Sequence, residues 1–323
     1  MTDEIKISPD KLIGMYTTMV RIRQFEDKVF LLFLQGEMPG TIHLYQGQEA
    51  IAAGVCANLR KEDLITSTHR PHGHAIAKGV PIRSLMAELY ARKTGCCEAK
   101  GGSMHVGDID AGMVPAIAIV GGGIPVATGL ALACKMMELD RVVISFFGDG
   151  ASNTGAFHEA VNMGAIWNLP VVYVCENNLY GASTRVSKVM KIKDIAQRAS
   201  SYGIPGKVVD GNDVFSVYEA AREAILWARE GKGPTLLECK TYRRGGHSRS
   251  DACRYRSKEE EKVWLTKDPI PRAREKLIKT GILTSERVKE LEEKVKKEIE
   301  EAIDYARKSP FPRPEDTLTN VFA

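Results

Sequence analysis

Asp149 stands between two glycines in Gly148-Asp149-Gly150, and the pair Asn177-Asn178 follows with 26 residues between Gly150 and Asn177. A carboxylate, a carboxamide oxygen and a nearby backbone carbonyl are hard oxygen donors. With further positions left for water and phosphate oxygens, such a set is how proteins commonly hold Mg²⁺. The glycines let backbone N–H groups approach a diphosphate, and a helix expected to start near Asn153 turns its positive end toward the same place. One pair of loops is thus equipped to bind a divalent cation and a polyanion together.

That chemistry requires the two loops to lie side by side. Residues 141–147 and 170–175 read as strands, apolar on both faces, with a helix over 155–167 between them. A crossover of that length returns both loops to one edge of a parallel sheet. The alternation continues on either side: a helix over 124–137, a strand over 207–210, a helix over 214–229 and a strand over 234–242. A short buried strand over 64–67 leads into a loop over 68–79. The expected fold class is α/β, a doubly wound parallel sheet with ligands at the carboxyl ends of its strands.

Helices flank this sheet at both ends. Residues 12–34 place Ile13, Tyr16, Val20, Ile22, Phe25, Val29 and Phe33 at helical spacing and stop before Gly36 and Pro39. A second helix is expected over 49–59. Residues 284–308 carry a stripe of Val288, Leu291, Val295, Ile299, Ala302, Ile303 and Ala306 that docks one face. No Pro/Gly/Ser-rich linker divides the chain, so one domain over 1–323 is expected, with a helical extension from about 255.

Composition narrows the function classes. The 323 residues are 44% apolar and 27% charged, a balance that permits a large core. Basic residues number 45 against 41 acidic, a net +4, and they are scattered rather than gathered in a tract, which argues against nucleic acid. The seven cysteines, Cys56, Cys96, Cys97, Cys134, Cys175, Cys239 and Cys253, include no pair of CxxC motifs. They read as reduced thiols in a cytoplasm rather than as a disulfide or zinc framework. Residues 1–11 are polar and include Asp3, Glu4 and Asp10, unlike a signal or transit peptide. No apolar run approaches the roughly 18 residues of a membrane span, so no membrane partner is expected.

Gly148-Asp149-Gly150 followed at this distance by Asn177-Asn178, with both halves at strand ends, resembles the thiamine-diphosphate fingerprint. Over about residues 12 to 310 the chain is similar to alpha subunits of the decarboxylating components of pyruvate, branched-chain 2-oxoacid and acetoin dehydrogenase complexes. Several segments agree independently. They are His43-Leu44-Tyr45-Gln46-Gly47-Gln48-Glu49, Lys100-Gly101-Gly102-Ser103-Met104-His105, Ile119-Val120-Gly121, Phe147-Gly148-Asp149-Gly150-Ala151, and Thr241-Tyr242-Arg243 through His247-Ser248.

The resemblance implies thiamine diphosphate and Mg²⁺ as cofactors, with Asp149, Asn178 and the backbone oxygen of Tyr180 as metal ligands. Gly150 and Ala151 would give N–H groups to the diphosphate, and Arg70 and Arg243 its counter-charges, each a planar fork of donors that stays charged. His69, where related chains often carry tyrosine, would be a further phosphate donor. Ala118 and Val120 would offer backbone contacts to the aminopyrimidine. His43 and His247 would face the reacting end of the cofactor, where titration near neutrality suits proton transfer. The run His69, His72 and His74 is set aside as a metal site, since it lies in a loop beside Arg70. Gly245-Gly246 departs from the bulkier residue common in relatives and points to a more mobile loop, and Ser248 and Ser250 stand where eukaryotic relatives are phosphorylated.

The resemblance also implies a separate beta subunit that supplies the pyrimidine-binding half and an activating glutamate, in an assembly of two alpha and two beta chains. The acyl group would then pass to a lipoyl-bearing acyltransferase core. The expected substrate is pyruvate. Ser67-Thr68-His69-Arg70 looks closest to acetoin-type chains, while Glu176-Asn177-Asn178 and His247-Ser248-Arg249-Ser250-Asp251 look closer to the pyruvate and branched-chain types. A transketolase-like half subunit is opposed by the segment from Tyr242-Arg243 to His247-Ser248. A non-catalytic scaffold is opposed by the intact Asp149, Asn178, Arg70 and Arg243. Gly121-Gly122-Gly123 lacks the spacing of GxGxxG, so NAD is not expected as a ligand, and the small residues over 121–133 would instead let a helix approach a neighbour closely.

Overall fold

Strand segments apolar on both faces must be covered on both, and the computed structural model, which describes residues 7–248 and 250–319, builds that arrangement. Residues 1–6, on which part of the N-terminal reading rests, and Arg249 lie outside the described residues. The strands are β1 (Leu64–Thr66), β2 (Val143–Gly148), β3 (Val171–Asn177), β4 (Tyr180–Gly181), β5 (Thr184–Arg185), β6 (Gly206–Asp210) and β7 (Thr235–Lys240). Five of them form a parallel sheet in the order β1-β2-β3-β7-β6, while β4 and β5 pair antiparallel just beyond the end of β3.

The helices are α1 (Pro9–Leu34), α2 (Glu49–Cys56), α3 (His72–Lys78), α4 (Ile82–Leu89), α5 (Gly123–Met136), α6 (Gly155–Ile166), α7 (Val186–Val189), α8 (Val214–Arg229), α9 (Lys258–Leu265), α10 (Pro269–Lys279) and α11 (Ser285–Lys308). Alternate residues of β2 enter two separate cores. Val143 and Phe147 join Ile124, Ala127, Phe157 and Val161 of α5 and α6. Ile144 and Phe146 join Ala50 and Val55 of α2 and Val214 and Val217 of α8 on the other side. The sheet is doubly wound, as its pattern of apolar runs predicts. The α11 stripe is buried at Val288, Val295, Ile299, Ala302, Ile303 and Ala306 and lies against α1 and α4. All seven cysteines are free thiols. Among the described residues no helix is long and apolar enough to cross a membrane.

Two departures from expectation bear on the site. β3 runs on through Glu176 and Asn177 because these residues pair with Cys239 and Lys240 of β7, so two residues expected in the loop belong to the strand. The stretch 68–79 is not all loop, since α3 occupies most of it. Tertiary contacts hold that helix in place: a Cβ on Gly73 would lie 2.1 Å from the Tyr45 ring, and His72 reaches the Glu26 carboxylate at 3.1 Å and Ser103 Oγ at 3.0 Å. His72 and His74 therefore point into the core, and His69 alone of the three stays at the strand edge.

α4 contributes one further positioning device. The Glu88 carboxylate accepts backbone N–H groups from Cys97, Ala99, Gly101 and Gly102 at 2.9–3.0 Å. It thereby holds a turn in which Glu98, Ala99 and Gly102 all have positive φ. Ser103 follows directly and takes up His72, so the turn is tied to the helix beside the site.

Gly73→Ala is expected to destabilise the protein by about 2 kcal/mol or more, because the Tyr45 ring cannot yield without losing its contact to Glu176. Gly14→Ala, on a helix face with nothing within 4 Å, should be neutral or slightly stabilising. Thermal melts of the two variants beside wild type check the pair, and equal melting temperatures would contradict the packing described.

Candidate active site at the carboxyl edge of the sheet

Parallel register sets this site. Gly148 pairs with Glu176, and Glu176 with Cys239, so the segments after β2, β3 and β7 leave the sheet at one edge. A cavity of about 780 Å³ opens there. Asp149, Gly150, Ala151, Asn178, Tyr180 and Arg243 line it, together with His69 and Arg70 from the segment after β1. Val120 also lines it, with Ile117 and Ile119, whereas Ala118 is not one of its lining residues.

Asp149 is 2% exposed, and its Oδ2 is buried without a hydrogen-bond partner among the described residues. Burial pushes its carboxyl up to about 6. Asn178 Oδ1 accepts only a long bond from the Tyr180 N–H at 3.3 Å, while its Nδ2 donates to Gln48 Oε1 at 3.0 Å. The Tyr180 carbonyl accepts from Arg243 Nη1 at 3.4 Å. One cavity is therefore lined by residues with an orphaned carboxylate oxygen, a weakly engaged carboxamide oxygen and a main-chain carbonyl, and oxygen donors of these kinds are what a hard divalent cation takes. Gly150 and Gly181 approach so closely that a Cβ on either would lie 3.2 Å from the Cα of the other.

The expected helix start near Asn153 is displaced. A 3-10 turn spans Asp149–Asn153, and α6 begins at Gly155 with its first turn capped by Thr154 Oγ1, which accepts the Phe157 N–H at 3.3 Å. The amides available to an anion are accordingly those of the turn, at Gly150 and Ala151.

Arg70 and Arg243 are 4% and 2% exposed, and among the described residues neither forms a salt bridge, although at longer range Glu26 and Glu176 act on Arg70, and Arg243 acts on Asp149. Arg70 donates to the carbonyls of Leu44 and, at 2.8 Å, His247. Arg243 donates to the Ala182 carbonyl at 3.0 Å and to the Tyr255 hydroxyl, which it reaches at 2.7 Å. Burial, with Arg243 beside it, brings Arg70 down to about 9, still charged at neutral pH. Two buried cations facing one cavity without a counter-ion are costly, and a bound polyanion relieves that cost.

His43, His69 and His247 come together here, with ring centroids 4.8–5.2 Å apart. Burial, then the charge of Arg70, pushes them down to about 3, 2 and 4 respectively. His43 and His247 therefore lie below the range near neutrality expected for them, because burial and the charges of Arg70 and Arg243 act on both rings and at His247 outweigh the carboxylate of Asp251.

Several site residues escaped the sequence reading. Gln48 is 1% exposed and lines the cavity with its Nε2 unpartnered. Glu176, also at the cavity, accepts from the Tyr45 hydroxyl and from His74 Nε2 at 3.1 Å, and His74 Nδ1 meets Ser67 Oγ at 2.7 Å. Gln48 and Glu176 both stand inside the recognised motifs, but nothing in their spacing shows which way they face. Asn177, by contrast, is structural: its side chain donates to Glu238 Oε1 at 2.7 Å and accepts the Leu179 N–H.

Comparison with known proteins matches residues 17–315 to the family described as Dehydrogenase E1 component. The chain belongs to this family. It is 47% identical to the alpha subunit of acetoin:2,6-dichlorophenolindophenol oxidoreductase of Bacillus subtilis, over 98% of this chain and 95% of that one. The same protein of Cupriavidus necator is 43% identical over 98% and 96%. The alpha subunit of the pyruvate dehydrogenase E1 component of Rhizobium meliloti is 40% identical over 98% and 91%. The E1 dehydrogenase family depends on thiamine diphosphate. The orphaned oxygen of Asp149 and the unpaired guanidinium groups of this E1 chain fit a metal-bound diphosphate.

Two expectations follow for the cofactor-free protein. Asp149 is raised above its ordinary value of 3.8, so its protonated form favours folding. That contribution is complete below pH 4 and is lost as pH rises through about 6. Asp149→Asn removes the loss, so the variant should be more stable than wild type at pH 7.5 by about 2–3 kcal/mol and equal to it near pH 4. Melts at the two pH values test this, and a less stable variant at pH 7.5 would refute it. The histidines run the other way. Their lowered values give stability that is present above pH 6.5 and lost as pH falls toward 4, so none of the three should titrate between pH 6 and 8. An NMR titration that found a midpoint near 6.5 for any of them would contradict the geometry.

Proposed function

We propose that this chain is the alpha subunit of the decarboxylating component of a dehydrogenase complex, acting on pyruvate with a beta subunit and passing the acyl group to a lipoyl-bearing acyltransferase core. The observation that carries the reading is the unpartnered Oδ2 of Asp149 opposite two buried guanidinium groups without counter-ions. Asp149, Asn178 and the Tyr180 carbonyl would hold Mg²⁺, the amides of Gly150 and Ala151 the diphosphate, and Arg70 and Arg243 its charge. Thiamine diphosphate supplies the nucleophilic carbon and takes up the electron pair released when a carbon–carbon bond breaks.

The chain's own residues orient and protect that chemistry. Metal and arginines fix the anionic end of the cofactor. His247 lines the cavity, and His43, which does not, lies 5.1 Å from it between ring centroids. With one ring nitrogen apiece carrying hydrogen at neutral pH, they would serve as hydrogen-bond donors or proton acceptors for a substrate oxygen. His69 stands beside both. The wall bearing Ile119 and Val120 lines the cavity although these residues are 74% and 57% exposed, which supports a beta subunit completing the site from that side. Free thiols at all seven cysteines support a reducing cytoplasm.

Acetoin is a second reading with its own support, since the relatives at 47% and 43% identity are named for acetoin and that at 40% for pyruvate. Calorimetry of the chain co-expressed with its beta subunit should show thiamine diphosphate binding that requires Mg²⁺. Turnover with pyruvate, acetoin and branched-chain 2-oxoacids then ranks the substrates. Asp149→Ala should abolish the binding. His247→Ala should leave it intact and lower kcat about a hundredfold, and an unchanged kcat would make His247 a structural loop residue. Cofactor-independent folding with no binding in a well-formed complex would sink the whole reading.

A further inference from the structure

Seven histidines occur in the chain, and the five around the site divide into two kinds. His72 and His74 are fully buried and use both ring nitrogens, on Glu26 and Ser103 and on Glu176 and Ser67 respectively. His43, His69 and His247 use none: among the described residues no ring nitrogen of the three takes part in a hydrogen bond. His43 is 7% exposed, and its buried Nδ1 is unpartnered. An unsatisfied buried nitrogen is a standing cost unless something comes to it.

The three come from segments far apart in the chain: the loop before α2, the loop after β1 and the loop after β7. One ring nitrogen from each lies within 4.8 Å of the other two. A tetrahedral zinc ion with bonds of about 2.0–2.1 Å needs its nitrogens somewhat closer than that, which small rotations of the rings supply. Three imidazoles and one open position form the ligand set of an accessible zinc site, and the unprotonated ring is the form that binds.

We propose that His43, His69 and His247 form a binding site for a borderline divalent metal ion of the zinc class at the wall of the cofactor cavity, and that occupancy blocks turnover. This site is chemically separate from the oxygen-donor set at Asp149, Asn178 and Tyr180. Nitrogen donors select zinc, cobalt and copper over magnesium, so millimolar Mg²⁺ does not compete. Arg70, which donates to the His247 carbonyl, and Arg243 repel an incoming cation and keep the affinity below that of a closed structural site. Binding is therefore reversible. The blockade of turnover rests on the proposed function, because the metal takes the lone pairs that His43 and His247 would use, whereas the site itself does not rest on that reading.

Cobalt titration of the full chain tests the site without reference to activity. Co²⁺ alone should develop the visible bands of a four-coordinate, nitrogen-ligated ion at one equivalent, and Zn²⁺ should bleach them. His69→Gln and His247→Gln should each lose the bands and weaken Zn²⁺ binding by calorimetry at least tenfold, with melting curves showing that both remain folded. Asp149→Asn should keep the bands. No bands with folded wild-type protein, or bands that persist in both histidine variants, would overturn the proposal. Thiamine diphosphate binding with Mg²⁺, measured on the chain co-expressed with its beta subunit, reports on the proposed function separately: its failure beside intact cobalt bands refutes that function and leaves the metal site standing.

Discussion

Parallel pairing of β2 with β3 carries Gly148 opposite Glu176, and the placement of Asp149 beside Asn178 depends on where that register ends. Asp149 leaves one strand as Asn178 follows the other, and β7 brings Arg243 to the same edge. Because β2 is buried on both faces, the register cannot slip without moving Phe146 and Phe147 into the wrong cores. The hydrophobic sheet thus pays for what the edge lacks, namely ionic partners for one buried carboxylate and two buried guanidinium groups. Charges of both signs, without salt-bridge partners among the described residues, line one cavity.

Much of this was legible in the residues. The strands around Asp149 and Asn178 are apolar on both faces, the crossover has the length of one helix and one strand, and local chemistry therefore identified the site edge. The proposed cation-binding set, Asp149, Asn178 and Tyr180, could be named because its members follow strand ends. α3 could not be seen, since Pro71, Gly73 and three histidines in seven residues carry no apolar period, and what makes them helical is Tyr45 lying on Gly73 and Glu26 receiving His72. Tertiary contact overrode local propensity there. The end of β3 was misplaced for a similar reason, because Glu176 and Asn177 are polar yet paired with β7.

Distance along the chain explains the remaining gap. His43, His69 and His247 are separated by 26 and 178 positions, and nothing local marks them as neighbours. His69, His72 and His74 lie close in sequence and are set aside as a metal site because Arg70 stands among them; α3 in addition turns two of the three into the core. Only His69 of that run meets His43 and His247, and those three rings come together from three loops.

Glu88 carries a consequence for how this edge assembles and comes apart. The turn over residues 97–102 has little apolar surface and three positive φ values, so it has no reason to form except around a carboxylate already presented by α4. Four amides that owe their protection to one side chain share a single opening event. The turn is thus held from α4 at one end and, through Ser103, from His72 of α3 at the other. Loss of that one carboxylate would therefore release the turn and its tie to His72 together.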